Sequence, residues 1–201
     1  DFESVQAIAR EVKGPVVTGL ARAVKKDIDT LWEAVRVARR PRIHTFLGTS
    51  DIHIQKKFRS DRERILQWCV DTVQYACSLC SDVEFSTEDA ARTDFDYLCR
   101  TVEAVVKAGA KTINVPDTVG YATPQEMADR IVAAGGQATA SNADVRDPDA
   151  MTALFQTVEA SIGPIDVCVY NAGANTNKPL LETTPKLFRQ VWELACFRSE
   201  E

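Results

Sequence analysis

Histidine is scarce: the 201 residues hold two, His44 and His53, nine positions apart. No single strand can present that pair as neighbouring ligands on one face. Long apolar runs are also missing, since none approaches the roughly 20 residues that span a bilayer. The opening stretch DFESVQAIAR lacks the basic-then-apolar layout of a signal peptide. Positive charge is not in excess either, with 24 Lys and Arg against 29 Asp and Glu, a net charge of -5 and a pI near 5.2. That balance argues against a general nucleic-acid or membrane-surface role. The expectation is a cytoplasmic protein with neither kind of partner. Arg36 to Arg64 runs against the trend, with nine basic residues and three acids. It reads as a solvated helix face plus loop, able to attract an anion.

With 45% hydrophobic and 26% charged residues, the composition fits one globular domain with a substantial core. Of the six cysteines, Cys69, Cys77 and Cys80 share a helical spacing with Ile65, Leu66, Val70 and Val73, as small core hydrophobes do. Cys77-Ser-Leu-Cys80 has redox or zinc spacing, but no second such pair and no nearby histidine pair completes a tetrahedral site.

Short apolar runs alternate with amphipathic stretches, an order that implies parallel strands joined by crossover helices. Six strands are predicted: Val16 to Ala21, Arg42 to Leu47, Asp82 to Ser86, Lys111 to Val115, Gln137 to Ser141 and Ile165 to Tyr170. Ser60 and Glu63 have capping-box spacing, and Thr93 can cap the next helix, which stops at Gly109. Thr123-Pro124-Gln125-Glu126 opens a further helix, ending at Gly135-Gly136. Asp147-Pro148 opens another, with Met151, Leu154, Phe155, Val158 and Ile162 inward, and Thr184-Pro185 the last.

Four segments, DFESVQAIAREVK, RIHTFLGTSDIHIQKKF, SDVEFSTEDAARTD and AGAKTINVPDTVGYATPQE, carry a resemblance. Over residues 1–131 the chain resembles part of the catalytic barrel of the 2-isopropylmalate synthases, leucine-pathway acyltransferases of the HMG-CoA lyase-like family. The resemblance implies strands three to six of a (β/α)8 TIM barrel, whose site lies at the carboxyl ends of the strands. It implies that His44 polarises a keto oxygen and that Ser86, Glu88 and Thr118 hold a 2-keto acid. Asn114, Pro116, Asp117 and Thr118 would shape the loop after the fourth strand. From the residues alone, the preferred reading of His44 is a buried histidine bonded to backbone. The family condenses acetyl-CoA with 2-oxoisovalerate at a divalent metal acting as a Lewis acid, held by an R-D-G aspartate and an H-x-H pair. Neither motif occurs in these residues. Glu84, Glu88 and Asp117 remain as carboxylates for weak binding of a hard cation.

Residues 132–197, within a Rossmann-like segment taken as 132–201, carry a second likeness. NADVRDP and the run ASIGPIDVCVYNAGANTNKPLLETTPKLFRQVWELACF resemble the middle of a short-chain dehydrogenase/reductase. Asp144 falls where that family meets the adenine of NAD(P), and Asn171 and Gly173 lie in its N-N-A-G, with Tyr170 for the first Asn. A pyrophosphate needs a glycine-rich turn before a helix, and none of the nine glycines forms one. No tyrosine has lysine four residues on, so the acid-base pair of the family is missing. Asp144 and Asn171 therefore read as cap or turn residues.

The seam falls inside one helix, where Met127, Ile131 and Ala134 continue a single stripe. The expectation is an α/β hybrid of about six parallel strands, half a TIM barrel spliced to a Rossmann-like segment in one merged domain. An incomplete barrel needing a partner is the alternative, and its exposed sheet edges favour self-association. Functionally, a non-catalytic hybrid with no complete catalytic set and no metal site comes first. Residual binding of a 2-keto acid, with Mg or Mn if the parental site survives, comes second. An NAD(P)-binding remnant comes third.

Overall fold

In the computed structural model, residues 2–133, 135–169, 171 and 179–195 are described. Where the sequence predicts one merged domain, the chain forms two compact units, Asp1–Ala122 and Thr123–Glu201.

The first unit is α/β, as expected. Strands β1 (Val17–Arg22), β2 (Pro41–Gly48), β3 (Val83–Glu88) and β4 (Thr112–Asn114) form one parallel sheet in the order β1-β2-β3-β4. Helix α1 (Phe2–Glu11) precedes it, and α2 (Lys25–Val35), α3 (Arg62–Leu79) and α4 (Phe95–Lys107) make the crossovers. The period of two along each strand divides the sheet. Ile43, Thr45 and Leu47 of β2 and Val83, Phe85 and Thr87 of β3 are buried. Ile43, Leu47, Val83 and Phe85 share one core with Ile28, Leu31 and Val35 of α2, Ile65, Cys69, Val73 and Ala76 of α3, and Val105 of α4. Arg42, His44 and Phe46 and the facing Glu84, Ser86 and Glu88 alternate with them and take the other face.

Two caps differ from the sequence reading. Helix α3 is capped by Asp61, whose carboxylate accepts from Arg64 N–H at 2.9 Å, while Glu63 pairs with Arg100. Helix α4 is capped by Asp94, which accepts from Tyr97 N–H at 3.0 Å. In both, an ionised side chain displaces a neighbouring hydroxyl because its negative charge also favours the helix amino end. Gly109 ends α4 at φ +117°, and a Cβ there would stand 2.8 Å from Cys77 Sγ. Cys69 and Cys80 are buried, Cys77 is partly so, and all three are free thiols. Burial pushes the Cys69 thiol up to about 12, as a core role requires.

The second unit carries α5 (Pro124–Ala133), α6 (Pro148–Ser161), a short 3-10 turn Leu180–Glu182 and α7 (Pro185–Ala195). Its caps follow the sequence. Thr123 and Glu126 exchange bonds, Glu126 N–H to Thr123 Oγ1 at 3.2 Å and Thr123 N–H to Glu126 Oε2 at 2.7 Å. Asp147 accepts from Asp149 and Ala150 N–H, and Thr184 accepts from Leu187 N–H at 3.2 Å.

The two predicted strands of this unit do not form. Residues 137–141 and 165–169 pair with nothing in a ladder, so four strands rather than six are present among the described residues; Tyr170 lies outside them. A doubly wound sheet is centred on the strand leading into the glycine-rich turn, and a segment without that strand gives its others no neighbour to bond. Burial follows suit. Helix α6 has no buried residue, Ile162 is 69% exposed and Val167 and Val169 are each 78% exposed. Met127 and Ile131 of the seam stripe are exposed, and Ala134 lies outside the described residues. No helix among them is long and apolar enough to cross a membrane.

Two buried hydroxyls in the first unit, Thr45 Oγ1 and Thr87 Oγ1, have no hydrogen-bond partner among the described residues. Replacing an unsatisfied buried hydroxyl by a methyl of similar shape removes a desolvation cost. Thr45→Val and Thr87→Val should therefore each stabilise the first unit, by about 1 kcal/mol, read from the denaturation midpoint.

Candidate functional site

The polar face of the sheet carries its side chains from the middle of β2 and β3 to the carboxyl ends of β3 and β4. The parallel register sets His44 beside Glu84, Phe46 beside Ser86, and Ser86 beside Asn114. His44 Nε2 and Ser86 Oγ stand 2.5 Å apart, and Asn114 Nδ2 donates to the same Oγ at 3.0 Å. Ser86 Oγ therefore accepts from Asn114 and shares one further hydrogen bond with the imidazole. The partner of His44 Nε2 is thus the Ser86 side chain and not a backbone group. Glu84 Oε1 is 3.6 Å from His44 Nε2, and Glu84 also accepts from Arg42 at 3.1 Å.

Burial lowers the His44 pKa, Glu84 opposes it, and the Arg42 charge lowers it further. A neutral imidazole, a hydroxyl and a carboxamide thus meet on one patch. Such a set hydrogen-bonds a carbonyl or carboxylate oxygen.

Glu88, two residues beyond Ser86 and on the same face, is drawn to the loop after β2. Lys57 Nζ donates to Glu88 Oε2 at 2.7 Å, and His53 Nε2 stands 3.7 Å from Glu88 Oε1. Both bases lie on one turn of π-helix, His53–Lys57. Thr118 takes a different part. Its Oγ1 accepts from the backbone N–H of Asp89 at 2.9 Å, bracing the loop after β4 against the end of β3. Asp117 accepts from Tyr121 and Ala122 N–H, each at 2.9 Å, and closes that loop.

Beneath this lies a cluster that the sequence reading did not assign. Asp89 is fully buried at φ +66°, a region that Asp enters more readily than most residues. Its carboxylate accepts from Ser50 Oγ at 2.5 Å, from Arg92 Nη2 at 2.8 Å and from Arg92 Nε at 2.8 Å. His53 Nδ1 is 3.1 Å away. Burial raises the Asp89 pKa, but the bonds from Arg92 and Ser50 outweigh it and hold the carboxyl below its ordinary value. The signals available in the sequence were an S-x-x-H at Ser50 to His53 and a D-x-x-R at Asp89 to Arg92, both too short to distinguish from chance.

The model of the HMGL-like family matches residues 1–144, most of the chain. The chain belongs to the HMGL-like family. Its four consecutive parallel strands with crossover helices are part of that family's TIM barrel. A 2-isopropylmalate synthase of Dictyoglomus turgidum is 55% identical over 131 residues, 65% of this chain and 26% of its own length. The enzyme of that name from Carboxydothermus hydrogenoformans is 57% identical over 131 residues, with the same shares. The one from Nitratidesulfovibrio vulgaris is 58% identical over 127 residues, 63% of this chain and 25% of its own. The chain thus spans about a quarter of the length of the curated relatives it matches. The short chain dehydrogenase model matches residues 99–197 and overlaps the first match, in keeping with the chimera-like sequence.

Neither family's cofactor fits the described residues. No three His, Cys, Asp or Glu side chains among them converge as a metal ion requires. In the HMGL-like unit, Glu84 is taken by Arg42, Glu88 by Lys57 and Asp89 by Arg92. In the dehydrogenase-like segment, Arg146 donates to Asp144 from Nε at 2.9 Å and from Nη2 at 2.7 Å, and its backbone N–H adds a third bond. Those bonds hold the Asp144 carboxyl down to about 2. Asn171 is exposed, and Gly173 lies outside the described residues. Helices α5 and α6 with residues 138–169 enclose an open cavity of about 530 Å3 lined by Met127, Ile131, Met151, Leu154, Phe155 and Val169. It offers little but apolar surface.

The depressed pKa of His44 has a linkage consequence. The unfolded chain takes up a proton near 6.5 that the folded chain refuses, so stability is full above that pH and declines as pH falls through it. The melting temperature of the native chain should drop over that interval, and His44→Gln should flatten the slope. Equal slopes in the two proteins would show that His44 is not the group responsible.

Proposed function

We propose that the HMGL-like unit is a 2-oxo-acid recognition surface, and that the chain by itself does not catalyse an acetyl-CoA condensation. The His44–Ser86–Asn114 trio, set at the strand ends beside Glu88, carries this reading. It supplies hydrogen bonds for a keto or carboxylate oxygen, in the place where barrels of this type bind substrate. The absence of R-D-G and H-x-H from these 201 residues supports the second half of the proposal, because the Lewis acid of the family has no ligand set here. The pairing of Asp144 with Arg146 speaks against a nucleotide role for the second unit.

Thermal unfolding followed by circular dichroism, with 2-oxoisovalerate plus Mn2+ and separately with NADH, tests the reading. A ligand that binds only the native state raises its melting temperature. The oxo acid should raise it and NADH should not, while acetyl-CoA with the oxo acid should release no free CoA. An unmoved transition overturns the recognition surface, and CoA release overturns the lack of turnover.

The sheet edges imply a partner as well. Among the described residues, strands β1 and β4 each pair on one side only, which leaves two rows of backbone donors and acceptors that a closed barrel would have satisfied. We propose that these edges drive self-association. Light scattering after size exclusion should give a mass above 22.2 kDa that rises with concentration; a monomer at every concentration overturns it.

A further inference from the structure

The outer flanks of the first unit differ from its middle. Among the described residues, α2, which lies between α1 and α3, exposes no large apolar side chain, and α3 exposes Trp68 alone. The two terminal helices do otherwise. Phe2 and Ile8 of α1 are 37% and 53% exposed, and Phe95 and Val106 of α4 are 66% and 49% exposed.

Helix geometry shows where these residues stand. On α4, Leu98, Thr101 and Val105 are buried, Arg100 donates to Glu63 of α3 at 2.6 Å, and Asp96, Glu103 and Lys107 are exposed. Phe95, Cys99, Val102 and Val106, spaced i, i+4, i+7 and i+11, form a stripe on the flank away from α3. On α1, Ala9 is buried and Val5 packs against the core, while Gln6 donates to the Glu33 carbonyl of α2 at 3.3 Å. Ile8 takes the flank away from α2. The Ile8 flank thus lies on the β1 side of the sheet and the stripe on the β4 side, each next to an open strand edge.

Four α-helices and four strands alternate from α1 to β4. Helices α1 and α2 cover the same face of β1, since a Cβ at Gly19 would meet Leu31 Cδ1 at 2.7 Å and Val5 Cγ1 at 4.0 Å. The unit is therefore half of an eight-stranded ring with its helices outside. A second copy brings the other four strands and one helix to cover each seam.

We propose that two copies of the chain close one barrel: β4 of each pairs in parallel with β1 of the other, and the Phe95–Val106 stripe of each α4 packs against the partner's Ile8. This rests on self-association through the sheet edges and gives it one arrangement. A twofold axis makes the two seams identical and leaves no edge. The area fits as well. A stable dimer buries about 1,200–2,000 Å2 in all, so each seam must supply about 600–1,000 Å2 from both partners together. Phe95 has on the order of 100 Å2 to lose, and Val106, Ile8 and Leu20, each about half exposed or more, join it with the two strand edges. The oxo-acid surface gains a wall. Arg22, Phe46, Ser86 and Asn114 form one row across the sheet, and the strand that continues it past Asn114 is the partner's β1.

Cys99 is exposed and offers a cross-link. Within one chain β1 and β4 stand three strand spacings apart, about 14 Å, beyond the Cα separation of about 7 Å that a disulfide bridges. In a Cys168→Ser, Cys196→Ser background, Ile8→Cys oxidised with copper phenanthroline should give a covalent dimer in which peptide mapping joins position 8 to Cys99. No larger species should form, because a closed ring has no free end. Phe95→Asp changes a side chain that the single chain exposes, so it should keep cooperative unfolding while weakening dimerisation about tenfold in sedimentation equilibrium. Val106→Asp repeats that test if Phe95→Asp unfolds, and Val37→Asp, on the turn after α2, should leave dimerisation unchanged. Dimers that form no such bond, or that keep their strength in Phe95→Asp, overturn the closed barrel but leave association through the edges standing. A ladder of trimers and tetramers does the same. A monomer at every concentration overturns both.

Discussion

The parallel ladder between β2 and β3 is the constraint on which the first unit depends. Among the described residues these two strands alone are paired on both sides, and their register decides which face of the sheet each residue takes. Ile43, Val83 and Phe85 go under the helices, and His44, Glu84 and Ser86 go to the open face. A slip of one residue would exchange the two sets, burying Glu84 and exposing Phe85, so hydrophobic burial and site geometry are fixed by the same choice. The hydrogen bond between His44 and Ser86 is a by-product of that register.

Above the ladder, the site is held by charge. Asp89 is a buried carboxylate, tolerable only because Arg92, Ser50 and His53 surround it. Removing one partner of a buried charge typically costs about 3–5 kcal/mol, so the loops after β2 and β3 are bound to each other far more firmly than their exposed ion pairs would achieve. Thr118 ties the loop after β4 to the same point through the Asp89 backbone. One residue thereby joins three strand ends, and the geometry of Glu88, its chain neighbour, follows from it.

The second unit shows the opposite case. Its helices begin where side chains can satisfy free backbone donors, at Thr123 with Glu126, at Asp147 and at Thr184. Yet Ala128 alone among its described residues is buried hydrophobic. Local capping can start a helix, but only a neighbouring sheet can bury its stripe. The apolar residues of 165–169 stay exposed for want of a ladder.

Strand positions in the first unit, the amphipathic face of α3 and the caps of the second unit were all legible in the sequence, because each is decided within a few residues by periodicity or by a side chain reaching its own backbone. So was the family, through long matching segments. The choice of Asp61 over Ser60 and of Asp94 over Thr93 needed the structure, since each hydroxyl stood next to an acid of greater charge and Thr93 was already bonded to Thr49 and Asp89. The failure of residues 137–141 and 165–169 to form strands needed it too, since a strand exists only with a partner. His53 and Asp89 lie 36 positions apart, and no local pattern announces that they meet. Their cluster is set by the parallel register and by the close approach that Gly48 allows, which are properties of the packed sheet and not of any segment of the chain.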